Sequence, residues 1–362
     1  MRGISPVPGY VIMQPTTLCN LDCKYCYLPH RVADRRMPVP VARAVADAVD
    51  GWAADQRFSV VWHGGEPLAV GREHLADLMR PFDERVDHVV QTNATLLDDA
   101  WCAFLAEHRV RVGISVDGPP ERNAQRVNRG GRPAYEAIMR GVDALRRHAI
   151  PFSVICVVSD PRPGVARDLY RFFRDLGCDQ LGVNIEEREG VNLRSNARRD
   201  EDVRAFWAEL VDEWRHDPVL SVREIEWTLR YTAAVLAGTV DDVLPRQHDP
   251  IPTIAYNGDV VVLSPELAGF ADARYGDFTS GNVLRTPLAE IVANSAGTAW
   301  VREFLDGVER CRALCPYFDF CGGGHAANRF FEQGRFDGTE TEHCRNSKIR
   351  LLEGVLDHAQ FH

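Results

Sequence analysis

The sequence predicts an α/β fold: a partial (β/α)6 barrel with following helices over residues 11–235, then a small metal-organised domain over 236–362, with 1–10 a short N-terminal extension. Three observations predict it. Short β-branched runs alternate with longer amphipathic runs through the first half of the chain, and parallel strands need such crossover connections. Cysteines gather near both ends, at Cys19, Cys23 and Cys26 and again at Cys311, Cys315, Cys321 and Cys344. And 362 residues are too many for one ordinary core, so one large domain plus a smaller one is the natural division.

The strand candidates are Val11–Thr17, Phe58–His63, His88–Thr92, Arg111–Val116, Phe152–Val158 and Gln180–Ile185. Between them apolar residues recur at helical spacing: Val41, Val45, Val49 and Trp52 after two prolines, then Trp101, Phe104 and Leu105, then Ile138, Val142 and Leu145, then Leu169, Phe172, Phe173 and Leu176. Chemistry in such folds sits at the carboxyl ends of the strands, and the first cysteine group follows the first strand. From Arg199 to Gly238 the pattern is helical. Thr253–Leu263 reads as a hairpin, with Asn257-Gly258 as a type I′ turn signal. The remainder reads as short helices and glycine turns around the second cysteine group.

Composition narrows the function. With 45% hydrophobic and 26% charged residues the chain is globular. Asp and Glu total 52 against 42 Lys and Arg, a net charge of −10, which argues against nucleic acid as the main partner. Neither a secretory signal nor a long apolar run appears, so no membrane partner is expected and the protein is placed in the cytoplasm. In that reducing compartment clustered cysteines read as metal ligands rather than disulfides. Cys102, Cys156 and Cys178 stand alone and read as small buried hydrophobes.

Three thiolates on one short loop leave a 4Fe–4S cube one iron short of a protein ligand, an open position for a small molecule. A zinc knuckle completed by His30 is the alternative. The Cys-x3-Cys-x2-Cys spacing, with Tyr25 just before the last cysteine, resembles the radical S-adenosylmethionine (SAM) signature. The resemblance implies that the open iron chelates SAM, and that cleavage of the sulfonium yields a 5′-deoxyadenosyl radical. Gly64-Gly65-Glu66-Pro67 ends the second strand candidate and resembles the family's Gly-Gly-Glu motif, which holds the SAM amino group. Two glycines let the backbone approach a ligand, and a carboxylate meets an ammonium. The resemblance also implies SAM contacts for Asn93, Ser115, Asp117 and Arg126. Val157 and Val158 suit an adenine pocket or core packing equally.

Cys311-x3-Cys315-x5-Cys321 with Cys344 completes a set of four thiolates, which zinc would also accept. Its context, from Ser280-Gly281-Asn282-Val283 to Cys321-Gly322-Gly323-Gly324-His325, resembles the SPASM/twitch extension of radical SAM peptide maturases and implies an auxiliary 4Fe–4S cluster. Such domains carry two clusters and a cysteine after an Asn-Gly-Asp hairpin. Here Asn257-Gly258-Asp259 is followed by none, so one auxiliary cluster is expected. Anaerobic sulfatase-maturing enzymes, similar over most of the length, place a Cys-Asp pair near Leu263-Ser264, the Asp acting as base; neither is present. The resemblance is nearest to the maturases of ribosomally made peptides, several of which close cyclophane carbon–carbon cross-links.

That likeness implies a precursor peptide as substrate, an electron donor such as flavodoxin or ferredoxin, and a leader-recognition element. About ten residues precede the first strand candidate, so no fused N-terminal recognition domain is expected, and that task falls to the barrel, the C-terminal domain or a separate protein. Glu266 is the candidate proton acceptor, and Glu186, with Glu187 beside it, the candidate substrate contact. Radical SAM oxidation of another substrate, and a non-catalytic iron–sulfur or zinc-stabilised carrier or binding module, remain as alternatives.

Overall fold

Among the described residues ten strands form one sheet in the order β10-β9-β8-β1-β2-β3-β4-β5-β6-β7. A computed structural model describes residues 3–54, 56–194, 200–240 and 247–358. Strand and helix alternate: β1 (Tyr10–Met13), α1 (Val39–Ala53), β2 (Phe58–Trp62), α2 (Arg72–Met79), β3 (Val86–Thr92), α3 (Asp99–Glu107), β4 (Arg111–Ser115), α4 (Tyr135–Arg147), β5 (Phe152–Val158), α5 (Val165–Leu176), β6 (Gln180–Ile185) and α6 (Asp200–His216). Each of β1 to β6 pairs in parallel with the next. This is the parallel α/β arrangement that the pattern predicts. Its last strand, β7 (Ser221–Val222), is two residues long and leads into α7 (Arg223–Ala237).

Local chemistry explains the boundaries. In β5 every second residue is buried, so Val154, Cys156 and Val158 pack outward under the helices while Ile155 and Val157 face the hollow of the sheet. Helix α5 buries Val165, Leu169, Tyr170, Phe173 and Leu176 at helical spacing and stops at Gly177, which takes the left-handed φ of 74°. Helix α3 opens on Asp98, whose carboxylate accepts from the Trp101 amide at 2.7 Å. The lone cysteines Cys102, Cys156 and Cys178 are buried, as expected.

Two expectations need correction. Strand β1 ends at Met13 rather than Thr17, since Pro15 has no N–H to extend the ladder; Thr17 instead donates to Arg35 O at 3.0 Å, closing the base of the loop that carries the first cysteines. The hairpin of β8 (Thr253–Ile254) and β9 (Asp259–Val261) does not turn in type I′ form. Only Gly258 has positive φ, at 90°, and the Gly258 amide donates to Ala255 O while the Ala255 amide donates to Asp259 O, each at 2.9 Å. That is a type I turn closed by a glycine bulge. Beyond it, β8 pairs in parallel with β1 and β10 (Gly281–Asn282) pairs antiparallel with β9, so the C-terminal region continues the barrel's sheet. The sequence Arg199 that opens the expected helical stretch lies outside the described residues.

The remainder is helical: α8 (Leu288–Asn294), α9 (Ala299–Leu314), α10 (Ala326–Gln333) and α11 (Arg350–His358), the last preceded by a π-helical turn at Arg345–Ile349. Helix α9 is longer than the short helices expected, with Trp300, Phe304 and Val308 buried along one face. No helix among the described residues is long and apolar enough to cross a membrane.

Candidate functional site

Cys19, Cys23 and Cys26 sit on the loop between β1 and α1, and all three line one cavity of about 760 Å³ at the carboxyl ends of the strands. Backbone bonds brace the loop from a neighbouring segment: the Asp22 amide donates to Val127 O at 2.7 Å and the Lys24 amide to Gln125 O at 3.0 Å. Arg129 Nη2 donates to Cys19 O at 2.7 Å. Burial pushes the Cys19 thiol up to about 12, Glu66 adding to it, and burial takes Cys23 to about 11. Thiols so placed give up their protons to a metal rather than to water. His30 does not join them; it is exposed and lines a separate pocket beside Tyr256. Among the described residues no three His, Cys, Asp or Glu side chains surround a single metal point. The three-cysteine donor set suits a cube with one iron left open.

The motif after β2 explains itself geometrically. Gly65 has φ 64°, and a Cβ there would stand 2.5 Å from Leu18 O and 2.7 Å from Thr16 O, so only glycine lets β2's exit lie against the cysteine loop. Gly64, at φ 89°, packs against Gln14 and does not line the cavity. Gly65→Ala is expected to lower the thermal midpoint, at a cost of about 2 kcal/mol or more, and to reduce retained iron. Gly71→Ala, at φ 84° with open space around it, should cost about half as much, and similar costs for both would refute the close-approach account.

Glu66 is 1% exposed, with both oxygens engaged: Thr92 Oγ1 donates at 2.6 Å and the Leu68 amide at 3.1 Å to Oε1, and the Asn93 amide at 2.8 Å to Oε2. It touches the cavity while tying β2 to β3. Asn93 Nδ2 donates to Asn20 Oδ1 at 2.8 Å and approaches Cys19 Sγ at 3.8 Å. Ser115 lines the cavity and accepts from Gln91 Nε2 at 3.0 Å. Asp117 differs from expectation. It is 2% exposed and off the cavity wall, because its oxygens accept from Tyr25 Oη at 2.6 Å, Arg126 Nη2 at 2.9 Å and the Val157 amide at 2.9 Å. It is a hub that aims other residues. Tyr25 and Arg126 do line the cavity, the guanidinium 5.4 Å from the Tyr25 ring centroid. Arg126 Nε is buried without a partner, a donor waiting for an anionic ligand. Ile155 and Val157 supply apolar wall, whereas Val158 belongs to the core.

In the C-terminal region, Cys311 lies in the last turn of α9, Cys315 follows that helix, Cys321 ends a helical turn at Phe318–Cys321, and Cys344 is positioned by Thr341, whose Oγ1 accepts from its amide at 3.0 Å. The neighbouring Cys344 thiol lowers Cys321 to about 5, and Cys321 in turn raises Cys344. Arg329, 1% exposed, donates through Nη2 to Cys311 Sγ at 3.3 Å and to Gly323 O at 2.5 Å. A buried guanidinium beside Cys311, with Cys321 and Cys344 near it, suits an anionic thiolate cluster. Four thiols also satisfy the full ligation of a cube.

Between the two cysteine groups the cavity wall turns polar. Glu187 Oε1 stands 2.9 Å from His343 Nδ1, off the direction of a hydrogen bond. Asn328 Nδ2 bridges Glu187 Oε2 at 2.6 Å and Glu189 Oε1 at 2.8 Å. Burial works to raise Glu187, but His343 and Asn328 outweigh it and hold it at about 2. Burial and the adjoining Glu187 push Glu189 well up. Glu266 rises from the Pro265–Leu267 turn after β9, half-buried and opening into the cavity. Burial, with Glu187 adding and His343 opposing, brings it to about 7. Glu186 is buried and already held by Arg194 Nε at 3.4 Å. His63 and His325 also line the cavity, lowered by burial to about 4 and 3, and stay neutral.

Sequence reasoning missed Glu189, Asn328, Arg329, His343 and Lys348. Only the nearness of His343 and Lys348 to Cys344 offered a signal; the others meet the site through folding alone.

Comparison with known proteins agrees with this geometry. The Radical SAM superfamily model matches residues 13–162. An uncharacterized protein of Synechocystis sp. is 34% identical, across 96% of this chain and 90% of its own. A serine-type anaerobic sulfatase-maturating enzyme of Bacteroides thetaiotaomicron is 29% identical, across 89% and 84%. Among solved structures, anSMEcpe with bound AdoMet superposes with a TM-score of 0.73 at 22% identity over 97% of both chains. SuiB of Streptococcus suis bound to precursor peptide SuiA superposes with 0.67 at 17% identity, over 94% of this chain and 76% of that one. At such identities the structural likeness is one of fold.

Proposed function

We propose that this chain, which belongs to the radical SAM superfamily, directs that chemistry at a ribosomally made peptide and closes a side-chain carbon–carbon cross-link. As a family member it is an oxidoreductase-type enzyme related to sulfatase maturases and peptide-modifying enzymes, with SAM and iron–sulfur clusters as cofactors. Cys19, Cys23 and Cys26 suit the SAM-binding cluster, and Cys311, Cys315, Cys321 and Cys344 the auxiliary one. Held by Cys19, Cys23 and Cys26, the cluster and its SAM would supply hydrogen-atom abstraction from an unactivated carbon.

The chain's own residues do the rest. Arg126, aimed by Asp117, offers its free Nε–H to a carboxylate. Gly65 allows backbone approach, and Ile155 with Val157 shields an apolar ring. Cross-linking would remove two hydrogens, one as an atom to the 5′-deoxyadenosyl group of SAM and one as a proton, its electron passing to an iron–sulfur cluster. Glu266 is the group for the proton. The observation that carries this reading is the single cavity joining the three cysteines to Glu266, a carboxylate near neutrality that forms no ion pair among the described residues.

Kinship with sulfatase-maturating enzymes supports a second reading, oxidation of a serine or cysteine to an aldehyde. Ser264 Oγ accepts from the Ala327 amide at 3.3 Å and is buried, so Glu266 would be the base there as well. Anaerobically reconstituted protein, supplied with SAM and a reductant such as flavodoxin or ferredoxin with its reductase, separates the two. Cross-linking gives a peptide lighter by two hydrogens, inert to aldehyde reagents and silent in fragment ions between the joined residues. A hydrazide-reactive product from a sulfatase peptide would replace it with the second reading. A separate leader-recognition protein, if required, would show as a large gain in rate on its addition.

A further inference from the structure

Helix α7 turns Arg223, Trp227 and Arg230 toward the same cavity at i, i+4 and i+7 spacing, and Lys348 faces them from the π-helical turn before α11. Lys348 Nζ stands 3.7 Å from the Trp227 ring centroid. Among the described residues neither Lys348 nor Arg230 has an ion pair. Arg223 differs: its Nε donates to Glu224 Oε1 at 2.7 Å and its Nη2 to Asn184 Oδ1 at 2.7 Å. Glu224 is further occupied by the Val183 amide at 2.9 Å. Glu226, on the same rim, accepts from Ser221 Oγ at 2.6 Å. Lys348 and Arg230 thus line the cavity with Trp227 and without an ion pair among the described residues, while the Cys321 thiol, Glu224 and Glu187 favour the lysine's charge from a distance. Burial disfavours the charge on Lys348, and an unpaired ammonium in such a place is costly unless a ligand completes it.

We propose that Lys348, Arg230 and Trp227 form a carboxylate-binding subsite for the substrate, seating an aromatic side chain next to a free carboxylate. This rests on the peptide reading above and narrows it: the carboxylate is a chain terminus or an acidic side chain near an aromatic residue. Glu187, held ionised on the lining of the same cavity, then repels that group and helps orient the chain across the cavity.

The probes are N-acetylphenylalanine and N-acetylphenylalaninamide, measured by ligand-detected NMR on the full, reconstituted protein with SAM. The acid is expected to bind about tenfold tighter or more than the amide. Lys348→Gln and Arg230→Gln should each remove most of that difference, Arg230→Gln without risk to the fold because it is exposed. N-acetyl-Phe-Asp-amide against N-acetyl-Phe-Asn with a free terminus tells side-chain from terminal carboxylate. Equal binding of acid and amide, or binding of neither, overturns the proposal. So does a Lys348→Gln protein that loses iron from the second cysteine group but keeps its preference for the acid, since the lysine would then be a counter-charge to the thiolates. A protein that prefers the acid yet modifies no peptide would instead count against the peptide reading alone.

Discussion

Cys23→Ala is expected to abolish 5′-deoxyadenosine formation, by more than about a thousandfold, and to halve bound iron from roughly eight atoms to four. The loop should still fold, because its bracing does not run through the Cys23 thiol: the Asp22 and Lys24 amides pair with Val127 and Gln125, and Arg129 holds Cys19 O. Cys344→Ala is the counterpart. It should also cost about half the iron, yet leave SAM cleavage measurable, since Cys344 belongs with Cys321 in the second cysteine group. Iron assay, electron paramagnetic resonance of the reduced protein and chromatography of 5′-deoxyadenosine read all three quantities. If Cys344→Ala silenced SAM cleavage as fully as Cys23→Ala, the division of labour between the two groups would be wrong. Zinc in stoichiometric amount at either group, with no iron, would return the chain to a binding module.

What could be read in advance follows from how locally each feature is encoded. The cysteine loop and the Gly-Gly-Glu turn are contiguous, and their chemistry depends on residue type at fixed spacing, so they were legible without a fold. The alternation in β5 likewise separates Val157 from Val158 once the strand is placed, by period alone. Asp117 was harder. Its position at a strand end was readable, but three donors converge on it from Tyr25, Arg126 and the Val157 amide, and that makes it a support rather than a contact. The pairing of β8 with β1 rests on a two-residue strand, too short for any periodicity. Glu189, Asn328 and Arg329 were invisible for a different reason. A carboxylate in a loop or an arginine in a helix ordinarily faces water, and only tertiary packing buries these three beside one another or beside Cys311.

Glu266→Gln is expected to cut product formation by about a hundredfold or more while 5′-deoxyadenosine continues to form, uncoupled from cross-linking. The carboxyl is brought to about 7 by burial, Glu187 raising it and His343 opposing, with Glu189 and Tyr27 also facing it. A base must be ionised to accept a proton, so wild-type product formation should rise as pH climbs through about 7 and then level. The glutamine variant should lack that limb. Stability runs in the opposite sense. A carboxyl whose folded value lies above its unfolded one binds its proton more tightly in the folded state, so its stabilising contribution is present at low pH and is lost as pH rises through about 7. Glu266→Gln should therefore gain thermal midpoint over wild type at pH 8 and little at pH 5. A pH-independent difference would mean the side chain is solvated and ordinary, and a product rate that falls in parallel with 5′-deoxyadenosine would mean Glu266 positions substrate for the hydrogen-atom step rather than taking the proton after it.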